Sequence, residues 1–301
     1  MNYEVFIDRA LASYLGFACG DALGATVEFL SAKRIKKRYG THKDIIGGGW
    51  LNLAAGQVTD DTQMALALGQ AIIDKQTFNE QTVAKYFVNW METDPPDIGN
   101  TCRRSLLRVR DQGVLHGPLR EDDAGNGACM RNLPVILATL NNLDNFQDWT
   151  IKQCHITHHH PLSDAATLTL GKLVQHLLRG NDSLCQQEAR QLTKDYPILN
   201  YSPYPGRASA YIVDTVQTVL HYFFNSKDYE TCLINTVNQG EDADTTGALA
   251  GMLAGAKYGL DAIPKRWLSM LDPNIKAKII EQTYALLKIS QSLQPPSPSS
   301  D

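Results

Sequence analysis

The stretch Leu15-Gly16-Phe17-Ala18-Cys19-Gly20-Asp21-Ala22-Leu23-Gly24-Ala25 consists almost entirely of small and apolar residues. A second stretch of the same kind is Gly247-Ala248-Leu249-Ala250-Gly251-Met252-Leu253-Ala254-Gly255-Ala256. A glycine inside a helix costs about 1 kcal/mol relative to alanine, so recurrent glycines need a compensating gain. We therefore predict that these stretches form helices in close contact near the centre of a compact bundle. Tight packing accounts for most of these glycines.

Apolar residues with helical spacing continue through the rest of the chain, whereas alternating runs of strand type are almost absent. Clusters of Gly, Pro, Asn and Asp mark the loops between helices. The predicted helices cover residues 10–17, 63–73, 81–91, 100–110, 133–140, 165–178, 208–224, 229–237, 246–258 and 275–287. We expect an all-α, compact single-domain orthogonal helical bundle over residues 1–290. The Pro- and Ser-rich residues 291–301 are expected to form a disordered tail.

The composition is that of an ordinary globular protein: 301 residues, 43% hydrophobic and 20% charged. A net charge of −4 is too mild to indicate nucleic acid as a partner. The six cysteines contain no C-x-x-C pair, which excludes a thiolate zinc site and favours free thiols. The N-terminus is acidic and no apolar run approaches about eighteen residues. We therefore expect a cytoplasmic protein without a transmembrane segment.

Two acidic clusters stand at predicted helix starts, Thr59-Asp60-Asp61-Thr62 and Glu241-Asp242-Ala243-Asp244-Thr245-Thr246. One capping side chain suffices for a helix N-terminus, so either cluster alone is explained as a cap. Adjacent carboxylates repel each other, however, and together the clusters offer more oxygen ligands than one Mg²⁺ takes from protein. Oxygen ligands suit Mg²⁺ or Mn²⁺ better than zinc. We predict a central dinuclear site with two divalent cations, Mn²⁺ or Mg²⁺, bound by Thr59, Asp60, Asp61, Asp242, Asp244 and Thr245.

Five motifs between about Ala10 and Tyr258 resemble, in matching order, those of the ADP-ribosylglycohydrolase family. They are Gly16–Gly24, Thr59–Thr62, Gly125–Arg131, Thr157–Pro161 and Gly240–Ala248. This all-α family uses two metals to hydrolyse ADP-ribose from modified side chains. The resemblance implies the same six metal ligands, with the ribose hydroxyls on or near the metals.

The resemblance also implies roles for residues that local sequence leaves open. Asp97, otherwise a plain N-cap, would lie beside the ribose and move protons; Asp61 and Glu28 would be further catalytic carboxylates. Glu28 is otherwise a solvated loop acid. The implied substrate-binding residues are Gly99, Asn100, Glu121, Gly125, Asn126, Gly127, Met130, His158 and Tyr211.

Several of these assignments have a structural alternative. The Gly125-Asn126-Gly127 loop would let backbone amides approach the diphosphate, using close contact and positive φ angles, but alone it is only a turn signal. Glu121 is equally typical of a surface loop, and Met130 of a helix start. Tyr211 either stacks on the adenine, from the helix after the Pro/Gly loop, or belongs to the core.

By this resemblance the chain is a metal-dependent ADP-ribosylarginine glycohydrolase acting on a modified protein. The stretch Asp94–Thr101 resembles the corresponding sequence in a bacterial branch of the family. The substrate of that branch is dinitrogenase reductase, the nitrogenase iron protein. That branch also implies a PII-type nitrogen-signalling partner and peripheral membrane association through such a partner. The alternatives are a di-metal phosphohydrolase acting on nucleotides and a non-catalytic ADP-ribose-binding protein.

The run Lys33-Arg34-Ile35-Lys36-Lys37-Arg38 is the one dense basic segment. It forms either a solvated helix face or a docking patch for an acidic protein partner.

Overall fold

The computed structural model describes residues 3–293, which form fourteen α-helices, three short 3₁₀ turns and no strand. The helices are α1 Tyr3–Gly24, α2 Ala32–Tyr39, α3 Asp60–Lys75, α4 Glu80–Met91, α5 Asn100–Gln112, α6 Leu133–Ala138, α7 Leu143–His155, α8 Pro161–Leu178, α9 Asp182–Asp195, α10 Ile212–Asn225, α11 Tyr229–Val237, α12 Ala243–Tyr258, α13 Lys265–Met270 and α14 Pro273–Ser292. The all-α prediction is confirmed. Helix α14 continues to Ser292, past the predicted domain end at residue 290, and residues 294–301 of the predicted tail lie outside the described residues.

Helices α1 and α12 touch at the centre of the bundle, and glycines make this contact possible. A Cβ atom added to Gly20 would lie 2.0 Å from the carbonyl oxygen of Gly247. One added to Gly24 would lie 2.1 Å from that of Ala243, and one on Gly251 would lie 2.2 Å from that of Gly16. These distances leave room only for backbone. The predicted close contact between the two small-residue helices is confirmed.

The start of α10 differs from the prediction, which began this helix at residue 208. Residues 208–211 instead make backbone hydrogen bonds to two other loops. The Asp242 N–H donates to the Ala208 carbonyl at 2.9 Å, and the Asn126 N–H donates to the Ala210 carbonyl at 3.1 Å. Ala208 and Ala210 thus tie the loop before α10 to residues of both the second acidic cluster and the Gly125–Gly127 loop.

The predicted ranges do not include helices α2, α7, α9 and α13. In α9 only Cys185, Ala189 and Leu192 are buried, so the apolar stripe is too narrow to stand out from its polar surroundings. All six cysteines are buried and free, as expected. Among residues 3–293, no helix combines the length and apolar character needed to cross a membrane.

Candidate metal centre and substrate pocket

The N-termini of α3 and α12 meet and bring both acidic clusters to one place. The hydroxyl of Thr245 on α12 donates to Asp61 Oδ2 on α3 at 3.1 Å, across 184 positions of sequence. Two sets of three carboxylates have oxygens within 4.8 Å of one another. The first set is Asp60, Asp61 and Asp244; the second is Glu28, Asp242 and Asp244. Asp244 belongs to both sets, and Glu28, expected as a catalytic group, belongs to the second.

A buried carboxylate that sequence reasoning did not assign, Asp21 of α1, holds the start of α3. Its oxygens accept hydrogen bonds from the Thr59 N–H at 3.0 and 3.2 Å, the Thr62 N–H at 3.2 Å and the Thr62 hydroxyl at 2.6 Å. Thr59 is the N-cap of α3 but makes no capping bond with its own side chain. Asp21 therefore does the capping and leaves the Thr59 hydroxyl free to face Asp61, at 3.4 Å from its Oδ2.

The carboxyl groups of this cluster are buried with too few counter-charges for all to be ionised. Burial, and then the neighbouring carboxylates, raise the pKa values of Asp60, Asp61 and Asp244 well above their usual range. Burial likewise raises the pKa of Glu28 to about 9, against the hydrogen bond that Trp50 donates. Such a cluster is stable in ionised form only with cations among the oxygens.

The donor set fits hard divalent cations. The Oδ1 atom of Asp61 is buried and has no hydrogen-bond partner among residues 3–293. A buried oxygen without a donor is costly, and a cation would satisfy it. All the converging ligand atoms are oxygens, the ligand type that Mg²⁺ and Mn²⁺ prefer.

An open pocket of about 210 Å³ lies directly over these carboxylates. Its lining includes most of the predicted site residues, namely Glu28, Asp60, Asp97, Gly99, Asn100, Gly125, Asn126, Gly127, Met130, His158, Asp242, Asp244 and Thr245. Thr59 and Asp61 lie behind this lining, 0% and 1% exposed. The sequence reasoning missed four further lining residues, Phe29, Thr101, Cys102 and Ala210.

The Gly125-Asn126-Gly127 loop needs glycine for a reason that differs from the expected one. Neither glycine has a positive φ, so that part of the prediction is wrong. A Cβ on Gly127 would instead lie 2.7 Å from Cε1 of His158, and one on Gly125 would lie 3.0 Å from Nε2 of the same ring. The Asn126 amide donates to Asp242 Oδ2 and to Thr215. The loop therefore packs on His158 and anchors the second acidic cluster.

A fully buried arginine bonds the hydroxyl group that contacts the His158 ring. Arg131 Nη2 donates to the Thr157 hydroxyl oxygen at 2.7 Å, and that hydroxyl lies 2.8 Å from His158 Nδ1. The Thr157 oxygen accepts from Arg131, which leaves the Thr157 hydrogen available to Nδ1; we infer that it donates there and that the ring proton is on Nε2. Burial, together with Arg131 and Arg104, lowers the pKa of His158 to about 3. His158 is thus a neutral N–H donor at the pocket.

Replacing Thr157 with valine is expected to free Nδ1 and mix the two tautomers. Because the hydrogen bond between Thr157 and His158 Nδ1 is lost, we expect KM for the substrate bound in this pocket to rise about three- to tenfold. Nitrogen-15 NMR of the His158 ring reports the tautomer directly. Thr150→Val is the matched control, because Thr150 is equally buried and bonds Asn132 instead. Unchanged His158 nitrogen shifts in Thr157→Val would refute the assignment.

Two predicted substrate-binding residues lie outside the pocket lining. Glu121 is exposed in a short 3₁₀ turn. Tyr211 is the N-cap of α10, not a residue within the helix, and its side chain is 39% exposed. It forms an isolated bridge with Gly125, so it lies at the edge of the pocket rather than in the core.

Comparison with known proteins agrees with the family resemblance of the sequence motifs. The family profile for ADP-ribosylglycohydrolase matches residues 2–295. The chain is 52% identical to the ADP-ribosyl-[dinitrogen reductase] glycohydrolase of Rhodospirillum rubrum, over 94% of this chain and 97% of that protein. It is 31% identical to the ADP-ribosylarginine hydrolase Tri1 of Pseudomonas putida, over 88% and 74%. A solved structure described as an ADP-ribosylglycohydrolase-related protein complex superposes with a TM-score of 0.83 at 31% identity, covering 95% of this chain and 99% of that one.

Proposed function

Because the chain belongs to the ADP-ribosylglycohydrolase family, we propose that it hydrolyses the N-glycosidic bond of ADP-ribosyl-arginine on dinitrogenase reductase. The reaction releases ADP-ribose and restores the unmodified arginine. The observation that carries this proposal is the pair of carboxylate sets sharing Asp244 beneath the pocket. Identity of 52% over almost the whole length of the R. rubrum enzyme supports the choice of substrate.

The two sets of carboxylates suggest how cations would be held. Asp60, Asp61 and Asp244 would hold one cation; Glu28, Asp242 and Asp244 would hold the other. The hydroxyls of Thr59 and Thr245 complete the oxygen set around Asp61. When bound, such cations orient the ribose hydroxyls and lower the pKa of a water molecule.

Asp97 is the residue we assign to proton transfer. It lies half-buried in the pocket wall, near the carboxyl groups of Glu28, Asp60 and Asp242. A carboxyl group in this position can take a proton from the attacking water or return one to the departing guanidinium. His158, through its Nε2 proton, donates a hydrogen bond to the ligand at the Gly125 side of the pocket.

The finer parts of the proposal have two sources. The expectation of two cations, Mn²⁺ or Mg²⁺, rests on the number and chemistry of the oxygen ligands and on the resemblance to the family. A PII-type regulatory partner, and peripheral membrane association through that partner, rest on the resemblance to the nitrogen-fixation branch.

Metal removal tests the proposed activity. Incubated with ADP-ribosylated dinitrogenase reductase and Mn²⁺, the protein is expected to release ADP-ribose, measured by chromatography. A chelator is expected to abolish release, because the buried carboxylates then lose their counter-charges, and added Mn²⁺ to restore it. Release of phosphate from nucleotides, with ADP-ribosyl-arginine left intact, would instead identify a di-metal phosphohydrolase.

A further inference from the structure

Helix α2 carries five cations that the proposed reaction does not use. Its sequence is Ala-Lys-Arg-Ile-Lys-Lys-Arg-Tyr, and every lysine and arginine in it is exposed. None of them forms an ion pair with a carboxylate in residues 3–293. Ile35 is the only buried residue of the helix. Five like charges on one short helix repel one another, in a chain whose net charge is −4.

The helix is attached directly to the rim of the substrate pocket. The preceding segment is pinned to the second acidic cluster: the Phe29 N–H donates to the Glu241 carbonyl at 2.7 Å, and the Glu241 N–H donates to the Leu30 carbonyl at 2.8 Å. Phe29 lines the pocket, and α2 begins three residues later. At 1.5 Å rise per residue the eight residues span about 12 Å, so the backbone of α2 begins near the pocket rim and extends about 12 Å from there.

An exposed aromatic pair stands between the pocket and this helix. Phe29 and Trp50 are 61% and 48% exposed, with ring centroids 5.2 Å apart. Phe29 has a φ of 58°, a left-handed conformation that is unfavourable for a bulky residue. The Trp50 indole N–H is anchored to Glu28 Oε2 at 2.6 Å. Aromatic residues are enriched at protein–protein interfaces.

We propose that α2 and the Phe29–Trp50 pair dock an acidic surface of the protein that carries the modified arginine. This inference rests on the proposed function, because an arginine bound in the pocket brings its own protein against the pocket rim. A helix that begins at that rim and bears five cations without carboxylate partners attracts carboxylates and increases the rate of encounter. The aromatic pair supplies apolar contact beside the charges.

Reversing three of the charges separates docking from chemistry. Lys33→Glu/Lys36→Glu/Lys37→Glu is assayed on ADP-ribosylated dinitrogenase reductase and on free ADP-ribosyl-arginine. We expect kcat/KM for the protein substrate to fall at least about tenfold, and its dependence on added KCl to weaken. Activity on the small substrate is expected to remain. The milder Lys33→Gln/Lys36→Gln/Lys37→Gln variant is expected to give an intermediate loss on the protein substrate alone.

The matched control is Lys85→Glu/Lys194→Glu/Lys288→Glu, which makes the same charge change at three exposed lysines on α4, α9 and α14. It is expected to leave both activities unchanged. Equal loss on both substrates in the glutamine variant, or no loss on either in the glutamate variant, would overturn the docking role and leave the proposed function standing. The docking role would also be overturned if wild-type protein bound phosphatidylserine vesicles through these lysines while the glutamate variant kept wild-type kinetics on the protein substrate. Wild-type protein inactive on both substrates would overturn the proposed function itself.

Discussion

Gly20→Ala is expected to lower the free energy of unfolding by more than about 3 kcal/mol, beyond the usual cost of overpacking. The added methyl would lie 2.0 Å from the Gly247 carbonyl oxygen and 2.4 Å from its carbon. Both are backbone atoms of a buried helix, so relief requires α1 and α12 to separate. Helix propensity alone predicts the opposite sign, a gain of about 1 kcal/mol. Thermal and urea unfolding measure the difference.

Gly69→Ala in α3 is the matched control. Its added methyl would also meet an atom at 2.3 Å, but that atom is Oε1 of Gln282, the end of a flexible side chain. A side-chain rotation relieves this contact but disturbs the hydrogen bonds of Gln282 with the Leu66 carbonyl and the Tyr14 hydroxyl, so we expect a loss of about 1 kcal/mol, well below that of Gly20→Ala. Equal stability of Gly20→Ala and Gly69→Ala would refute the view that the central contact depends on backbone proximity.

The same contact explains why so much of the fold is predictable from sequence. A helix that loses about 1 kcal/mol for each internal glycine is retained only where backbones touch. The stretches Leu15–Ala25 and Gly247–Ala256 therefore identify the central helix pair from their composition alone. Helices such as α9, buried along a narrow stripe, carry no comparable signal. Their position depends on tertiary packing, which periodicity in a single sequence does not report.

The same distinction applies to the candidate site. Some of its residues can be proposed from a short stretch of sequence, whereas the roles of others depend on contacts with distant residues. Thr59 to Asp61 and Asp242 to Thr245 can be proposed as ligands from sequence because carboxylates beyond those a helix start needs are visible in a short stretch. Asp21 belongs to a recognisable motif but received no role, since its partners Thr59 and Thr62 lie about forty residues away. The expected positive φ at Gly125 and Gly127 was wrong because the nearby His158 ring, not backbone conformation, excludes a side chain there.

The buried carboxylates also determine how stability responds to metal. An acid whose pKa is raised in the folded state destabilises the fold as pH rises from its unfolded pKa toward its folded pKa. Asp60, Asp61 and Asp244 all have raised pKa values, chiefly through burial. Without metal, the folded protein near neutral pH must therefore protonate these groups or bear their repulsion. Bound cations would remove that cost, so we expect metal binding and folding to be coupled in this protein.

Asp244→Asn removes the carboxylate that both sets share. We expect this change to stabilise the metal-free protein and to abolish its stabilisation by metal. Asparagine keeps the size of the side chain and can still accept the Thr245 N–H that bonds Asp244 Oδ1 at 2.9 Å. It removes one negative charge, so the metal-free variant is expected to melt at a higher temperature than metal-free wild type. The stabilisation by Mn²⁺, about 2.7 kcal/mol at about 100 times Kd in wild type, is expected to be lost. Release of ADP-ribose is expected to fall at least about 1,000-fold, as several kcal/mol of charge stabilisation disappear.

Asp214→Asn is the matched control for Asp244→Asn, because Asp214 is also buried but pairs with Ser209 and Arg207 and belongs to neither set of carboxylates. It is expected to keep both the Mn²⁺-dependent rise in melting temperature and the activity. The two readouts for Asp244→Asn move in opposite directions: higher stability without metal and lower activity with it. General misfolding lowers both, so it cannot imitate this pattern. An Asp244→Asn variant that retains the wild-type response to Mn²⁺ would show that Asp244 is not the carboxylate on which the site depends.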